Sequence, residues 1–405
     1  MKNAFPAELV KKITAKTGTP VYVYSRARIL RNLAAYQKAF AAYKPLICYA
    51  MKANSSGAVA RLLAGNGAGA DVVSGGELYR ALRAGFAPGK IIFSGVGKTP
   101  DEMAYALRSG ILFINVESAE ELETLERVAA GLKLRAPVSV RINPDVDPHT
   151  HKFIATGKLG SKFGVDFREA RRLYSRAASS RSLKPAGVHF HLGSQLYSAG
   201  PYALAIKAVA DFTRALRADG ICPEYFDIGG GWGVKEGREL PPVDALAGLA
   251  GPAAKSLGMK LILEPGRSIV ADAGALAVKV LYRKKSGPKN FIITDGAMND
   301  LIRPAFYGAR HPVLPLTERP GKIARYTVTG PVCESGDFLA EGAGLAEPRR
   351  GDILLVLSAG AYGFSMSSQY NSRPRAAEVM ITGPRSWRLI RAREDYQDLV
   401  AKELR

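Results

Sequence analysis

The chain has 405 residues, 47% of them hydrophobic, and a formal net charge of +21 from 57 Lys+Arg against 36 Asp+Glu. That length supports a full core and suggests two domains, while no apolar run approaches the ~20 residues of a membrane span. The basic residues come as scattered pairs, with Arg283-Lys284-Lys285 the longest run, so no basic helix face or RNA-recognition motif marks nucleic acid as a partner.

The opening "MKNAFPAELVKK" has no apolar h-region, which predicts no secretory signal. Cys48, Cys222 and Cys333 are far apart and form no CxxC. They argue against a disulfide framework or a zinc site and for a reducing, cytoplasmic location.

Eight apolar or β-branched runs then follow in order: "LICYAM" (46–51), "ADVVS" (70–74), "KIIFSG" (90–95), "ILFINV" (111–116), "PVSVRIN" (137–143), "AGVHFHL" (186–192), "YFDIG" (225–229) and "LILEPG" (261–266). The segments between them read as helices. Thr99-Pro-Asp-Glu102 is a capping box with Pro at the first helical position, and Ser74…Glu77 and Ser118…Glu121 repeat its spacing. Eight strand–helix repeats predict a (β/α)8 TIM-type barrel over residues 21–265. The fifth connection, "DVDPHTHKFIATGKLGSKFG", is long and carries the composition of a functional loop. Beyond residue 266 helical periodicity gives way to strand-like runs between Gly and Pro turns, such as "NFIITDG", "ARYTVTGPVC", "GDILLVLSAGAYG" and "AAEVMITG". Residues 266–405 therefore read as an all-β domain, a sandwich or barrel, with residues 1–20 expected to join it.

In such a barrel the chemistry gathers at the C-terminal ends of the strands. Strand one ends at Lys52, strand two near Asp71 and Ser74, and strand six at His191, followed by Gly193 and Ser194. Strand seven runs into Gly229-Gly230-Gly231, and strand eight into Glu264-Pro265-Gly266-Arg267. A lysine at a strand end either snorkels to solvent or serves as a Schiff-base nucleophile. A glycine triplet lets backbone N–H groups approach an anion, and barrels bind phosphate after strands seven and eight. Lysine, phosphate cradle and carboxylate together fit pyridoxal 5'-phosphate, with Glu264 holding the ring nitrogen protonated. His189 and His191 share one face of their strand; without a third ligand of fitting spacing they read as a core pair, and no metal is expected.

The motifs "YAMKAN", "GADVVSGGELYRAL", "KFG", "HFHLGSQ", "DIGGGWG", "EPGRSIVA", "NDLIRPAFYGA", "GPVCESGD" and "GAYGFSMSSQYNSRP" span nearly the whole chain. In them the sequence resembles the fold-type III pyridoxal-phosphate-dependent decarboxylases, most of all the diaminopimelate decarboxylase family. The resemblance implies that Lys52 carries the cofactor, that His191 stacks on its ring and that Glu264 meets its pyridine nitrogen. It places phosphate contacts on Ser194, Gly230, Gly231 and Tyr362, with Asp71, Gly266 and Arg267 completing the cofactor site. It implies a homodimer whose active sites are finished by the partner's β domain, with Cys333 and Glu334 acting across the interface and Cys333 as the proton donor. Substrate contacts fall on Arg267, Arg303, Tyr307, Glu334 and Tyr362. The implied reaction is decarboxylation of meso-2,6-diaminopimelate to L-lysine and CO2, the last step of lysine biosynthesis.

Decarboxylases of ornithine, arginine or carboxynorspermidine type are the alternative; they have little use for Arg303 and Tyr307, which suit a second, distal carboxylate. An alanine racemase would meet the pyridine nitrogen with arginine, not Glu264, and a stand-alone cofactor-binding barrel would lack the β domain. Met51, Gln369 and Asp272 depart from the family's common Val, Asn and Asn; none bears on a role given above.

Overall fold

The computed structural model describes residues 4–147, 161–234 and 240–404. The chain divides into two compact units, residues 33–266 and residues 1–32 with 267–405. It opens with α1 (Ala7–Thr17), β1 (Val21–Ser25) and α2 (Arg26–Ala39). The first unit then alternates β2 (Leu46–Ala50), α3 (Gly57–Ala64), β3 (Gly69–Val72), α4 (Gly75–Ala84), β4 (Ile91–Phe93), α5 (Pro100–Arg108), β5 (Phe113–Val116), α6 (Ala119–Gly131), β6 (Ala136–Ile142), α7 (Phe167–Ser179), β7 (Leu183–Phe190), α8 (Gly200–Ala218), β8 (Tyr225–Asp227), α9 (Val243–Ser256) and β9 (Lys260–Leu263). β2 to β9 form a closed parallel barrel in chain order. The seam pairs Leu46 with Ile262 and Ile47 with Leu263. The expected eight-strand barrel is therefore present.

The helices start where side chains replace missing backbone partners. Ser74, Thr99, Ser118 and Asp166 each accept the N–H three residues on. Thr99 and Glu102 make the full reciprocal box. Glu77 and Glu121 reach one residue further back, to the N–H of Val73 at 2.9 Å and of Glu117 at 2.8 Å. Those two glutamates thus tie a strand-end loop to its helix. Cys48, Ile92, Phe113, Ala186 and Ile262 form an apolar cluster drawn from five strands. The long fifth connection falls mostly outside the described residues, at 148–160.

The second unit adds α10 (Arg267–Val270), β10 (Gly274–Ser286), β11 (Lys289–Thr294), α11 (Arg303–Tyr307), β12 (Val313–Pro315), β13 (Ile323–Thr329), β14 (Phe338–Ala346), β15 (Ile353–Val356), β16 (Ala377–Ile381), β17 (Trp387–Arg391) and α12 (Tyr396–Val400). Its sheet runs β14-β13-β11-β10-β1-β16-β17, with β15 on β10 and β12 on β15. The unit break lies at residue 32, inside α2, and not at residue 21. β1 is a strand of the β unit: it pairs antiparallel with β10 and parallel with β16. "VYVYS" is buried on both faces, a pattern that carries no mark of which sheet it joins. Val21 and Val23 pack with Leu9, Val10 and Ile13 of α1 and with Ala275, Ala277, Ala377, Val379 and Ile381, the period of two that one sheet face requires. On the opposite face Tyr24 donates to Glu378 Oε1 at 2.7 Å.

β12, β14 and β17 escaped the strand reading. β12 has three residues, β14 is the Gly/Ala-rich "FLAEGAGLA", and β17 is a half-exposed edge. No helix among the described residues is long and apolar enough to cross a membrane.

Ile13 is fully buried between α1 and the sheet. Ile13→Ala should lower the free energy of unfolding by about 2–5 kcal/mol, seen as a lower urea midpoint at unchanged slope. An unmoved midpoint would mean that α1 is not part of this core.

Candidate active site

At the C-terminal end of β2 the chain makes a single 3-10 turn, Met51–Ala53, that carries Lys52. Lys52 Nζ lies 3.2 Å from Asp71 Oδ2 on β3. The lysine side chain is 35% exposed and the aspartate is not exposed at all. Burial, with the negative charge of Glu264 nearby, pushes the Asp71 carboxyl up to about 6 although Lys52 pulls it down.

Glu264 follows β9 and is buried. Its Oε1 is 3.4 Å from His189 Nε2 and its Oε2 3.7 Å from His191 Nδ1. Burial alone would raise its pKa. His189, His191 and Lys52 together outweigh that and hold it well below the ordinary carboxylate range. Asp227, on β8 in register with His189, goes the other way: burial and the Glu264 charge push it well up. Two adjacent buried carboxyls cannot both ionise cheaply, so Glu264 is the anion and Asp227 the acid. Asp227 Oδ1 meanwhile accepts the Gly229 N–H at 2.9 Å.

His191 is pushed down to about 4, chiefly by burial, with the Arg141 and Lys52 charges adding to it against Glu264. It is therefore a neutral imidazole near pH 7. The Gly230 N–H donates to its Nδ1 at 3.1 Å, which leaves the ring proton on Nε2. The glycine triplet is needed sterically: a Cβ on Gly230 would sit 2.1 Å from the Glu264 carbonyl oxygen, and Gly229 has φ +68°. Gly266 packs as tightly, its position for a Cβ lying 3.0 Å from the Cβ atoms of Ala50 and Ala53. Leu196, just past Ser194, donates its N–H to the Gly231 carbonyl at 3.0 Å. The barrel thus brings Lys52, Asp71, His191, Ser194, Gly230, Gly231, Glu264 and Gly266 to one end.

Register also supplies what sequence spacing did not. His189, Asp227 and Glu264 place ligand-type atoms within 4.8 Å of one another, so His189 does have carboxylate neighbours. Arg141 and Glu117 are a second addition. Arg141 Nη1 lies 3.4 Å from both Glu117 oxygens, and Glu117 accepts the Gly95 N–H at 3.1 Å and the Gly164 N–H at 3.0 Å. One buried carboxylate thereby pins three strand-end loops. Its signal was an arginine inside the apolar run "PVSVRIN".

In the β unit, the buried Arg267 guanidinium lies 4.6 Å from the centre of the Tyr362 ring. Tyr362 has φ +55°, a conformation costly for an aromatic residue and most often kept at functional sites. A Cβ on Gly360 would meet the Val270 carbonyl oxygen at 1.9 Å, so this loop lies directly on α10. Arg303 opens α11 and is buried; its Nη1 is 3.1 Å from His311 Nε2. Tyr307 is half-buried, its ring edge-on to Phe306 at 4.7 Å. Cys333 and Glu334 are exposed. Their loop is held by Asp337, which accepts the Val332 N–H at 2.8 Å, and by Asn371, which accepts the Cys333 N–H at 2.8 Å.

Residues 26–271 match the family described as pyridoxal-dependent decarboxylase, pyridoxal binding domain. A diaminopimelate decarboxylase of Aquifex aeolicus is 47% identical over 98% of this chain and 94% of its own length. One of Pseudomonas aeruginosa is 47% identical over 97% of this chain and 95% of its own. The crystal structure of the Helicobacter pylori diaminopimelate decarboxylase complexed with L-lysine superposes with a TM-score of 0.94 at 44% identity, covering 97% of this chain and 99% of that one. With the family model matched over residues 26–271 and relatives 47% identical over nearly the whole chain, the chain belongs to the diaminopimelate decarboxylase family of pyridoxal-dependent decarboxylases.

Proposed function

We propose that this chain decarboxylates meso-2,6-diaminopimelate to L-lysine and CO2 with pyridoxal 5'-phosphate as cofactor. The observation that carries the reading is Glu264. It is buried and held ionised, and its Oε1, 3.4 Å from His189 Nε2, makes no well-aligned hydrogen bond among the described residues. An ionised oxygen in that setting suits the N–H of a protonated pyridine. The cofactor supplies an electron sink for the pair left behind when CO2 departs.

The chain's own groups then divide the work. Lys52 supplies the anchoring amine, and Asp71 holds that amine at the strand end. Neutral His191 presents a flat ring for stacking without adding charge beside Glu264. Ser194, Gly230, Gly231 and Tyr362 receive the phosphate. Gly266 keeps the Glu264 segment against the end of β2, and Arg267 adds positive charge for the cofactor or for the substrate. Arg303 and Tyr307 take the distal carboxylate, where a planar guanidinium can bind bidentately.

In the homodimer we infer, Cys333 returns the proton to the carbon that lost CO2, and Glu334 holds the distal ammonium. Their exposure on a pinned loop supports a role outside their own subunit. Lysine biosynthesis in the cytoplasm is the setting this chemistry suits. The alternative, decarboxylation of a diamine precursor such as ornithine, gives Arg303 no carboxylate to bind.

Incubation with diaminopimelate, ornithine, lysine and arginine should give an amine product from diaminopimelate alone. Arg303→Ala should lower kcat/KM for diaminopimelate by a factor of about 30 to several thousand, the scale of about 2–5 kcal/mol for unpairing a bound charge. Turnover of ornithine by the wild type, or full activity in Arg303→Ala, would refute the substrate assignment while leaving the cofactor assignment standing.

Glu264→Gln keeps the shape and removes the charge. Turnover should fall at least ~10²-fold, as for a lost acid–base partner; near-normal turnover would show that the ring nitrogen is governed elsewhere. For the dimer, Lys52→Ala and Cys333→Ala should each be inactive. Mixed and allowed to exchange subunits, they should regain activity at up to about a quarter of the sites. No recovery after verified exchange would put both groups in one subunit.

A further inference from the structure

His311 lies outside every role assigned above, yet it is buried and makes two directed contacts. We propose that His311 is a positioning residue for Arg303, fixing the plane of its guanidinium so that the fork meets the substrate's distal carboxylate. This rests on the assignment of Arg303 to that carboxylate.

The argument is one of donors and acceptors. His311 Nδ1 lies 2.8 Å from the Leu357 carbonyl oxygen, and His311 Nε2 lies 3.1 Å from Arg303 Nη1. A carbonyl can only accept, so Nδ1 carries the hydrogen. Guanidinium can only donate, so Nε2 must be bare. Both contacts are satisfied by one tautomer of the neutral ring and by no other state. Burial keeps the ring neutral, and the positive charges of Arg303 and Arg267 act in the same direction.

The ring is also anchored to the sheet. Pro312, the next residue, accepts the Leu357 N–H at 2.8 Å. β12 begins one residue later, pairing Val313 with Val356 of β15. Residues 311 and 312 therefore grip Leu357 through two hydrogen bonds, and the imidazole is referenced to β15. Arg303, by contrast, sits at the start of a five-residue helix, a short element with little rigidity of its own. A guanidinium at the end of three methylenes gains direction from a fixed partner. A bidentate carboxylate is more sensitive to that direction than a single point charge.

The test uses His311→Leu, His311→Gln and Arg303→Ala in the full-length holoenzyme. It reads kcat and KM for diaminopimelate and the Kd of 1,5-diaminopentane, which keeps both amines and lacks the distal carboxylate. His311→Leu should raise KM for diaminopimelate roughly tenfold or more, the worth of a hydrogen bond to a charged group. Its kcat and its 1,5-diaminopentane Kd should change little. His311→Gln, whose amide oxygen can accept from Arg303, should recover most of the loss.

If Arg303→Ala leaves diaminopimelate and 1,5-diaminopentane equally affected, the assignment of Arg303 fails. If Arg303→Ala raises KM and a folded His311→Leu does not, the positioning role fails. Should His311→Leu not fold, 15N-histidine NMR of the wild type decides. The chain has five histidines, and the signal lost in His311→Gln identifies this one. An Nδ1–H tautomer with bare Nε2 whose shift moves in Arg303→Ala supports the role; a protonated or Nε2–H ring near pH 7 overturns it.

Discussion

The barrel mouth depends on keeping one carboxylate charged where water does not reach. Moving a carboxylate into a dry interior costs several kcal/mol even after relaxation, and Glu264 bears that cost beside a second buried acid. The structure resolves the conflict by unequal neighbours. Glu264 has two imidazoles and an ammonium about it, whereas Asp227 has a backbone N–H from Gly229. The proton goes to Asp227, and the anion stays at the strand end. His191 can then remain neutral, and the glycine loop that Asp227 grips is held against the Glu264 carbonyl. Charge, ring state and loop conformation at this end of the barrel are one coupled choice.

The same economy appears at Glu117, which satisfies Arg141 and two loop N–H groups at once. Around it Lys98 is buried too. It lies 2.6 Å from Glu121 Oε1 and donates to the Asn115 carbonyl at 2.7 Å. A buried pair weakens a fold when one member is removed, far more than its presence strengthens it. These pairs therefore make the mouth stiff, and stiffness there is what a site must have to hold a ring within a fraction of an ångström.

What the sequence disclosed follows from what is local in it. The eight barrel strands are short apolar runs with a recognisable cap after several of them. Lys52 and Glu264 stand out because a charge at the end of such a run needs a reason. Asp227 did not stand out, since one aspartate before a glycine triplet reads as turn chemistry. Its partnership with Glu264 exists only through the register of β8 on β9. Arg141 lies on β6 and Glu117 just past the end of the neighbouring β5, and they are joined across the ladder, which no spacing reports. β1 lies inside the 21–265 bounds yet outside the eight runs read as strands, because its partners β10 and β16 stand far along the chain. His311 lies eight residues from Arg303 with the rest of α11 and an irregular stretch between, and neither residue alone predicts that they touch.

The sheet of the β unit has a consequence for biosynthesis. β1 lies between β10 and β16, so the first strand made is central in the sheet and both its neighbours are made after the whole barrel. On the ribosome, α1 and β1 emerge long before Ala275 or Val379 can cover their apolar faces. The intervening barrel carries its own core and can close while they wait, as domains generally fold in the order they are made. Loop closure over some 250 residues precedes the central strand pairing, and contacts so distant in sequence form slowly. For that interval the nascent chain presents an amphipathic helix and a bare strand, the kind of surface that chaperones bind and that aggregates when overproduced.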